Sequence, residues 1–448
     1  MFKTIRNAWA LPDLRKKLLF TLFIIIIFRI GSVIPVPFLN ADALRGLMDT
    51  VAGSGSALGY LDMLSGGAFA SATLFAMSIT PYINASIIMQ LLTVAIPPLE
   101  RLSRDGELGR KKITAITRYL TVGLGLLQGT GYYFYLRASN FEGTNVVKYT
   151  EGGAQVFSAI VIILTFTAGT ALLMWLGEQI NKRGVGNGIS IILLINIVSR
   201  MPSDFSDLYT KFMKGQDIVD QVIAGAIILA VILVTTILVV LLQGGVRKIP
   251  VQHAQKVQGR RMMGGQQSHI PLKVNTSSVI PVIFASSILS VPMVVVNLFN
   301  INTSGVWAKI LRGMNSNYWF NPAYPWASVG LIIYILLVVF FANFYTSVTF
   351  NPMEVANNLK KSGGFIPGIR PGKPTQDYLN KILNYIVFIG AVGLLIVAVI
   401  PIFFNGMFGA DVSFGGTSLI IIVGVVLETI DQIESKMIVR NYSGFLND

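Results

Sequence analysis

Cysteine is absent from the 448 residues, and histidine occurs only at His253 and His269. Without thiolates, and with both imidazoles in one basic stretch, the chain offers no disulfide framework and no cluster of metal ligands. No metal site and no cofactor are expected. Charge is scarce as well: Asp, Glu, Lys and Arg make up 12% of the chain, against roughly 25% in ordinary soluble domains. The apolar runs hold few ionisable groups, such as Arg29 late in the first run and Glu178 and Glu428 near run ends. Ion-coupled transporters and intramembrane enzymes need such groups at depth. No nucleophile–base pair, HExxH or phosphate loop occurs, so the chain is not read as an enzyme.

What is present is apolar bulk. Hydrophobic residues make up 53% of the chain and the mean hydropathy is +0.65. A soluble domain cannot bury that much, which leaves an all-α polytopic membrane protein. At about 20 apolar residues per crossing, ten transmembrane helices are expected, near 18–36, 72–96, 115–136, 154–176, 188–203, 220–242, 275–299, 325–346, 380–403 and 414–434. The first run is too long for a signal-peptide core and has no small-residue cleavage site, so it reads as a retained span.

The net charge of +14 is sorted by side. Most of the basic residues fall in the N-terminus, in loop 97–118, at Lys182 and Arg183, in loops 243–274 and 347–381, and at Lys436 and Arg440. The positive-inside rule makes that side cytoplasmic, and an even number of crossings puts both termini there. The short Lys182–Arg183 turn needs no other explanation. Loops 243–274 and 347–381 are longer than connections require. RKIPVQHAQKV and SHIPLKV flank a turn-like QGRRMMGGQQ, which predicts a β-hairpin. FIPGIRPGKPT is stiffened by Pro and Gly around Arg370. Two rigid basic fingers suit a large acidic partner, with RNA phosphate as one candidate.

Within the apolar runs the polar residues are neutral: Asn84, Ser86, Gln90 and Thr93, then Asn187, then a Ser/Asn/Thr-rich stretch from Asn275 to Ser287. Such groups form weak interhelical contacts, which a seam that opens and recloses would use. The stretch DMLSGGAFASATLF, residues 62–75, is a poor membrane helix. By composition it is an interfacial turn or a weakly helical, easily displaced segment with few anchoring side chains.

Three stretches carry a family likeness. TLFAMSITPYINASIIMQLL (73–92), WLGEQINKRGVGNGISIIL (175–193) and NPMEVANNLKKSGGFIPGIRPGKPT (351–375) resemble ordered signatures of the SecY/Sec61α family of protein-conducting channels. The first departs from the family pattern at Ser78, where Gly is usual. The resemblance implies two pseudo-symmetric five-helix halves around a central pore, 1–205 (spans one to five, including a plug at about 59–71) and 206–448 (spans six to ten).

It also implies a pore ring of Ile79, Ile83, Ile189, Leu193, Ile283 and Ile421, a constriction that resists water and ions. The plug would include Asp62, Met63, Leu64, Ser65, Gly66, Gly67, Ala68 and Phe69. Gln90, Asn187 and Ser287 would mark a lateral gate. Arg260, Arg261 and Arg370 would touch the ribosome or the SecA ATPase motor. The implied partners are the small membrane subunits SecE and SecG, SecA, the ribosome, signal sequences, nascent polypeptides and the lipid bilayer. The implied site is the bacterial plasma membrane, where unfolded secretory chains cross and membrane segments exit laterally. The rival readings are a secondary transporter and a poreless insertion scaffold.

Overall fold

The computed structural model describes residues 2–40, 42–44, 46, 65–141, 143–149, 151–214, 218–253, 256–258, 261–263, 267–298, 305–408 and 416–444. They are mostly helical. Proline sets the first breaks. Leu11 is extended (φ −88°, ψ 116°) between α1 (Phe2–Ala10) and α2 (Pro12–Gly31), because a residue before proline is pushed out of helical backbone. Ile96 does the same between α3 (Thr80–Ala95) and α4 (Pro97–Arg104), which are bent by 105°.

The next helices are α5 (Gly106–Ala138), α6 (Gly152–Arg183), α7 (Gly188–Phe212) and α8 (Ile218–Gly244). A two-strand ladder, β1 (Asn140–Phe141) with β2 (Thr144–Asn145), caps the α5–α6 turn. After the basic hairpin come α9 (Ile280–Leu298), α10 (Val306–Met314), α11 (Val329–Thr349), α12 (Pro352–Lys361), α13 (Lys373–Phe408) and α14 (Gly416–Gly444). Gly125 and Gly129 on α5 lie against Thr167 and Phe166 of α6, the close approach that a small-xxx-small face permits.

Among the described residues, five helical stretches are long and apolar enough to cross a membrane by length and composition. They are Gly152–Arg183, Gly188–Thr210, Val219–Gly244, Pro325–Lys361 and Lys373–Phe403, and the bent α3–α4 pair is a sixth if it counts as one span. The expected spans at 18–36, 115–136, 275–299 and 414–434 overlap α2, α5, α9 and α14, with the first ending early at Gly31 and the seventh beginning late at Ile280.

The expected start of the second span at 72 is corrected. The helix begins at Thr80, and 66–79 are turns interrupted at Thr73 by a bridge to Pro35. Pro81 lacks an N–H and so fits the first helical turn rather than a helix interior. Ala72 (φ 41°) and Ser78 (φ 51°) lie in left-handed backbone that a helix cannot include.

The largest apolar cluster draws side chains from α2, α3, α6, α7, α8, α9, α11, α13 and α14, so it crosses the boundary between 1–205 and 206–448. The hairpin expected in 243–274 is present. β3 (Val246–His253) pairs antiparallel with β6 (Gln267–Lys273), from Val246 opposite Lys273 to Gln252 opposite Gln267. At its tip β4 (Lys256–Gln258) pairs with β5 (Arg261–Met263). The second loop is not a separate finger: β7 (Gly364–Phe365) adds to the other edge of β3. Ile249, Val251 and Leu272 share a small core with Ile366, Leu379 and Leu383. A loop that buries apolar side chains against a neighbouring sheet edge cannot stand alone.

The first and last helices meet. Thr4 Oγ1 donates to Glu434 Oε1 at 2.9 Å, and Ala8 and Leu14 pack with Val185 and Ile433. Partial desolvation, with Lys17 nearby, lowers the largely exposed Lys436 ammonium below the usual lysine range.

Candidate functional site

The six proposed ring residues fall in one apolar cluster. Ile79, Ile83, Leu193 and Ile421 are buried within it, and Ile189 and Ile283 pack against it half-buried. Their elements differ: Ile79 is the N-cap of α3 and Ile83 lies in its first turn, where its N–H donates to the Ile79 carbonyl at 3.0 Å. Ile189 and Leu193 come from α7, Ile283 from α9 and Ile421 from α14. Four helices from both halves of the chain thus converge through aliphatic side chains.

The turns at 65–79 are seated beside this cluster. Asp62, Met63 and Leu64 lie outside the described residues. Ser65 Oγ accepts from the Phe69 N–H at 2.9 Å, closing one turn across Gly66 (φ 67°) and Gly67 (φ 85°). Phe69 is 1% exposed and stacks on Tyr132 with centroids 4.3 Å apart, and the Tyr132 hydroxyl donates to the Phe69 carbonyl at 2.7 Å. The Val36 N–H donates to Ala72 O, and the Leu74 N–H to Ile34 O. The Leu74 carbonyl rests on Gly169 of α6, where any side chain would collide with it. The expectation of few anchoring side chains is therefore corrected at Phe69. The ring fills a pocket between α5 and α6, with Tyr132 and Phe166 as walls, and a sequence read alone does not show that pocket.

The three proposed gate residues are not joined by a hydrogen bond. Gln90 Nε2 reaches Ser86 Oγ at 3.4 Å, and its buried Oε1 has no partner among the described residues. Ser287 is buried on α9, which packs mainly on α11 and also on α5. Asn187 is exposed and caps α7, its side chain accepting from the Ile189 N–H at 3.2 Å. The turn before it is more than a charged connection. The Val185 N–H donates to Thr21 Oγ1 of α2 at 3.1 Å, and the Gly186 N–H to Gln432 Oε1 of α14 at 3.1 Å. This turn ties the first, fourth, fifth and last expected spans together.

Of the basic contacts, Arg260 lies outside the described residues, and Arg261 is described by its backbone, opposite Gln258 in the tip hairpin. Arg370 is exposed, and its carbonyl accepts from the buried Thr375 hydroxyl at 2.9 Å. Left-handed Gly368 and Gly372 flank it. The loop therefore presents the guanidinium from a fixed backbone.

Sequence reasoning missed the Arg118–Glu178 pair. Arg118 Nε and Nη2 donate to Glu178 Oε1 and Oε2, both at 2.6 Å, fastening α5 to α6. The partners lie 60 positions apart, and nothing in one sequence couples them. Among the described residues no group of His, Cys, Asp and Glu could hold a metal ion.

A helical membrane architecture with a convergent aliphatic cluster, a buried turn segment beside it and a basic sheet at one end is that of the protein-conducting channels. The chain matches a solved structure reported as "The structure of a protein conducting channel" with a TM-score of 0.61 at 17% identity, over 94% of this chain and 92% of that one. It matches canine Sec61 in a ribosome-channel complex from the endoplasmic reticulum with a TM-score of 0.58 at 17% identity, over 94% and 92%. The SecY family model matches residues 73–430. Protein translocase subunit SecY of Streptomyces coelicolor is 45% identical and that of Bacillus subtilis 42%, each over the whole of both chains. The chain belongs to the SecY family.

Proposed function

We propose that this chain is a protein-conducting channel, passing unfolded secretory polypeptides across the bacterial plasma membrane and releasing membrane segments sideways into it. The observation that carries this is the convergence of Ile79, Ile83, Ile189, Leu193, Ile283 and Ile421, from both halves of the chain, in one aliphatic cluster beside the seated Ser65–Phe69 turn. An aliphatic constriction excludes water and ions and can reseal around a passing chain without a fixed charge. Ser65–Phe69 and the residues before it act as the plug. Gln90 and Ser287 belong to a gate between α3 and α9, with Asn187 setting the start of α7.

In this reading the ten spans form two five-helix halves, 1–205 and 206–448, with both termini in the cytoplasm. Contact between α1 and α14 supports an even number of crossings. The joined basic sheet, with Arg260, Arg261 and Arg370, docks the ribosome or the SecA motor. SecE and SecG complete the complex. The chain supplies no chemistry of its own. The motor or the ribosome supplies the work, and the channel supplies a closed state favoured by a few kcal/mol.

The test is reconstitution with the two small subunits into sealed vesicles. Motor-driven entry of an unfolded, signal-bearing polypeptide is expected. Accumulation of small solutes without polypeptide entry would return the chain to the transporter class.

A further inference from the structure

The helix α10 is a short amphipathic element whose exposed face has no protein covering it among the described residues. Val306 is 71% exposed, Trp307 70% and Ile310 44%. At 100° per residue these three share one side of the helix. Leu311 at the edge of that side and Met314 at its C-terminal end pack on the protein, and Lys309 and Arg312 occupy the opposite side. The helix is not loose. The Trp319 Nε1–H donates to the Gly313 carbonyl at 2.7 Å, and the same carbonyl lies against Gly330, where any side chain would collide with it. The Trp326 ring covers Gly313, and the Arg312 guanidinium lies 5.7 Å from the centre of the Tyr324 ring.

The level of this helix follows from α11. That helix has 21 residues, about 31 Å at 1.5 Å per residue, which matches the hydrocarbon thickness of about 30 Å. Its exposed stripe is Val329, Ile332, Leu336 and Phe340. Phe350, just past its far end, packs with the basic sheet, so Val329 marks the boundary on the opposite side. Gly313 touches Gly330, which holds α10 at that boundary. Trp and Tyr favour this depth because their rings are apolar and their N–H and O–H groups are not. Trp307, Tyr324 and Trp326 are all in this region.

We propose that α10 lies in the headgroup–acyl boundary of the leaflet remote from the basic sheet. Val306, Trp307 and Ile310 enter the acyl region, and Lys309 is left toward lipid phosphate. The apolar face stands at the end of α11 where its exposed stripe begins, and the basic side complements phosphate, as interfacial helices require. A bilayer is therefore its occupant rather than a second protein. The inference rests only on α11 crossing a membrane, not on what the channel carries. It assigns α10 a role as an anchor that fixes the mouth of α11, and with it α9, at a set depth.

The absence of native cysteine makes the test direct. Val306→Cys, Ile310→Cys and Lys309→Cys would each be labelled with an environment-sensitive fluorophore in the full-length protein. The proteins would be reconstituted in vesicles of phosphatidylcholine with phosphatidylglycerol, and of phosphatidylcholine alone. At 306 and 310 the emission should shift to the blue, and a lipid quencher near the glycerol should quench it several-fold more than one at the acyl terminus. At 309 aqueous iodide should be the effective quencher, more weakly in the anionic vesicles. Equal access of iodide to all three positions would overturn the proposal. So would shielding of 306 and 310 from both iodide and lipid quenchers, because that means a protein covers the face. Trp307→Cys provides a third position on the same face if either of the other two labels fails to incorporate.

Discussion

Asn196 donates from its side-chain amide to Ser78 Oγ at 3.2 Å, and Ser78 is held at φ 51° one residue before the Ile79 N-cap of α3. This is the position where the second-span signature departs from the family's usual Gly. Left-handed backbone costs a non-Gly residue about 1–2 kcal/mol, and a buried hydrogen bond returns about 1 kcal/mol. Ser78→Gly should therefore change stability by no more than about 1 kcal/mol. Ser78→Val loses the bond and keeps the strain with a β-branched side chain, so it should cost about 2–3 kcal/mol. Thermal unfolding of the purified variants in detergent checks both, and equal Tm values for the two variants would refute the account.

The Arg118–Glu178 fork is partly buried, the carboxylate more than the guanidinium. Glu178→Gln keeps the shape but weakens a two-bond ionic contact, and should destabilise by about 1–3 kcal/mol. Exchange of the two residues, Arg118→Glu with Glu178→Arg, should recover part of that loss. A double variant no better than the worse single variant would mean that the pair does not fasten α5 to α6.

Ile83 is buried among aliphatic neighbours. Ile83→Asn would bury an amide there, at a cost of about 1–3 kcal/mol to the closed arrangement. Against a gap of a few kcal/mol between closed and open states, that should let polypeptides with defective signal sequences through. Export counted in reconstituted vesicles should rise for such substrates, and unchanged export would remove Ile83 from the ring.

Phe69 holds the 65–79 turns between α5 and α6. Phe69→Ala should cost about 3–5 kcal/mol locally and release the segment. The expected readout is a higher resting ion leak across vesicles with polypeptide export retained. A leak equal to wild type would make the segment a structural turn and not a seal.

Arg370 is exposed. Arg370→Glu should leave Tm within about 0.5 kcal/mol of equivalent stability while stopping motor-driven export. Thr375→Val should reduce export partially, because it frees the carbonyl that positions the loop. Normal export by the Glu variant would take Arg370 out of the docking surface.

Much of this was legible along the chain because it depends on residues close in sequence. The strand-like runs flanking the turn-like QGRRMMGGQQ foretold the β3–β6 hairpin. Pro81 was read as lying within a span, yet it marks the start of α3. Its fit to a first helical turn was a local signal, and it was outweighed by the apolar run on both sides. The junction of β7 with β3 could not be read at all, since a two-residue strand has no pattern of its own.

The sequence by itself determined the membrane class and the family signatures, because each follows from composition or from contiguous residues. Tertiary structure alone decided that six aliphatic residues from four helices share one cluster, and that Phe69 is locked beside Tyr132. It alone decided that Thr21 and Gln432 hold the turn at Val185 and Gly186. Those contacts join residues far apart in the chain. The energy that selects them is packing and hydrogen bonding between surfaces that exist only once the helices have been placed against one another.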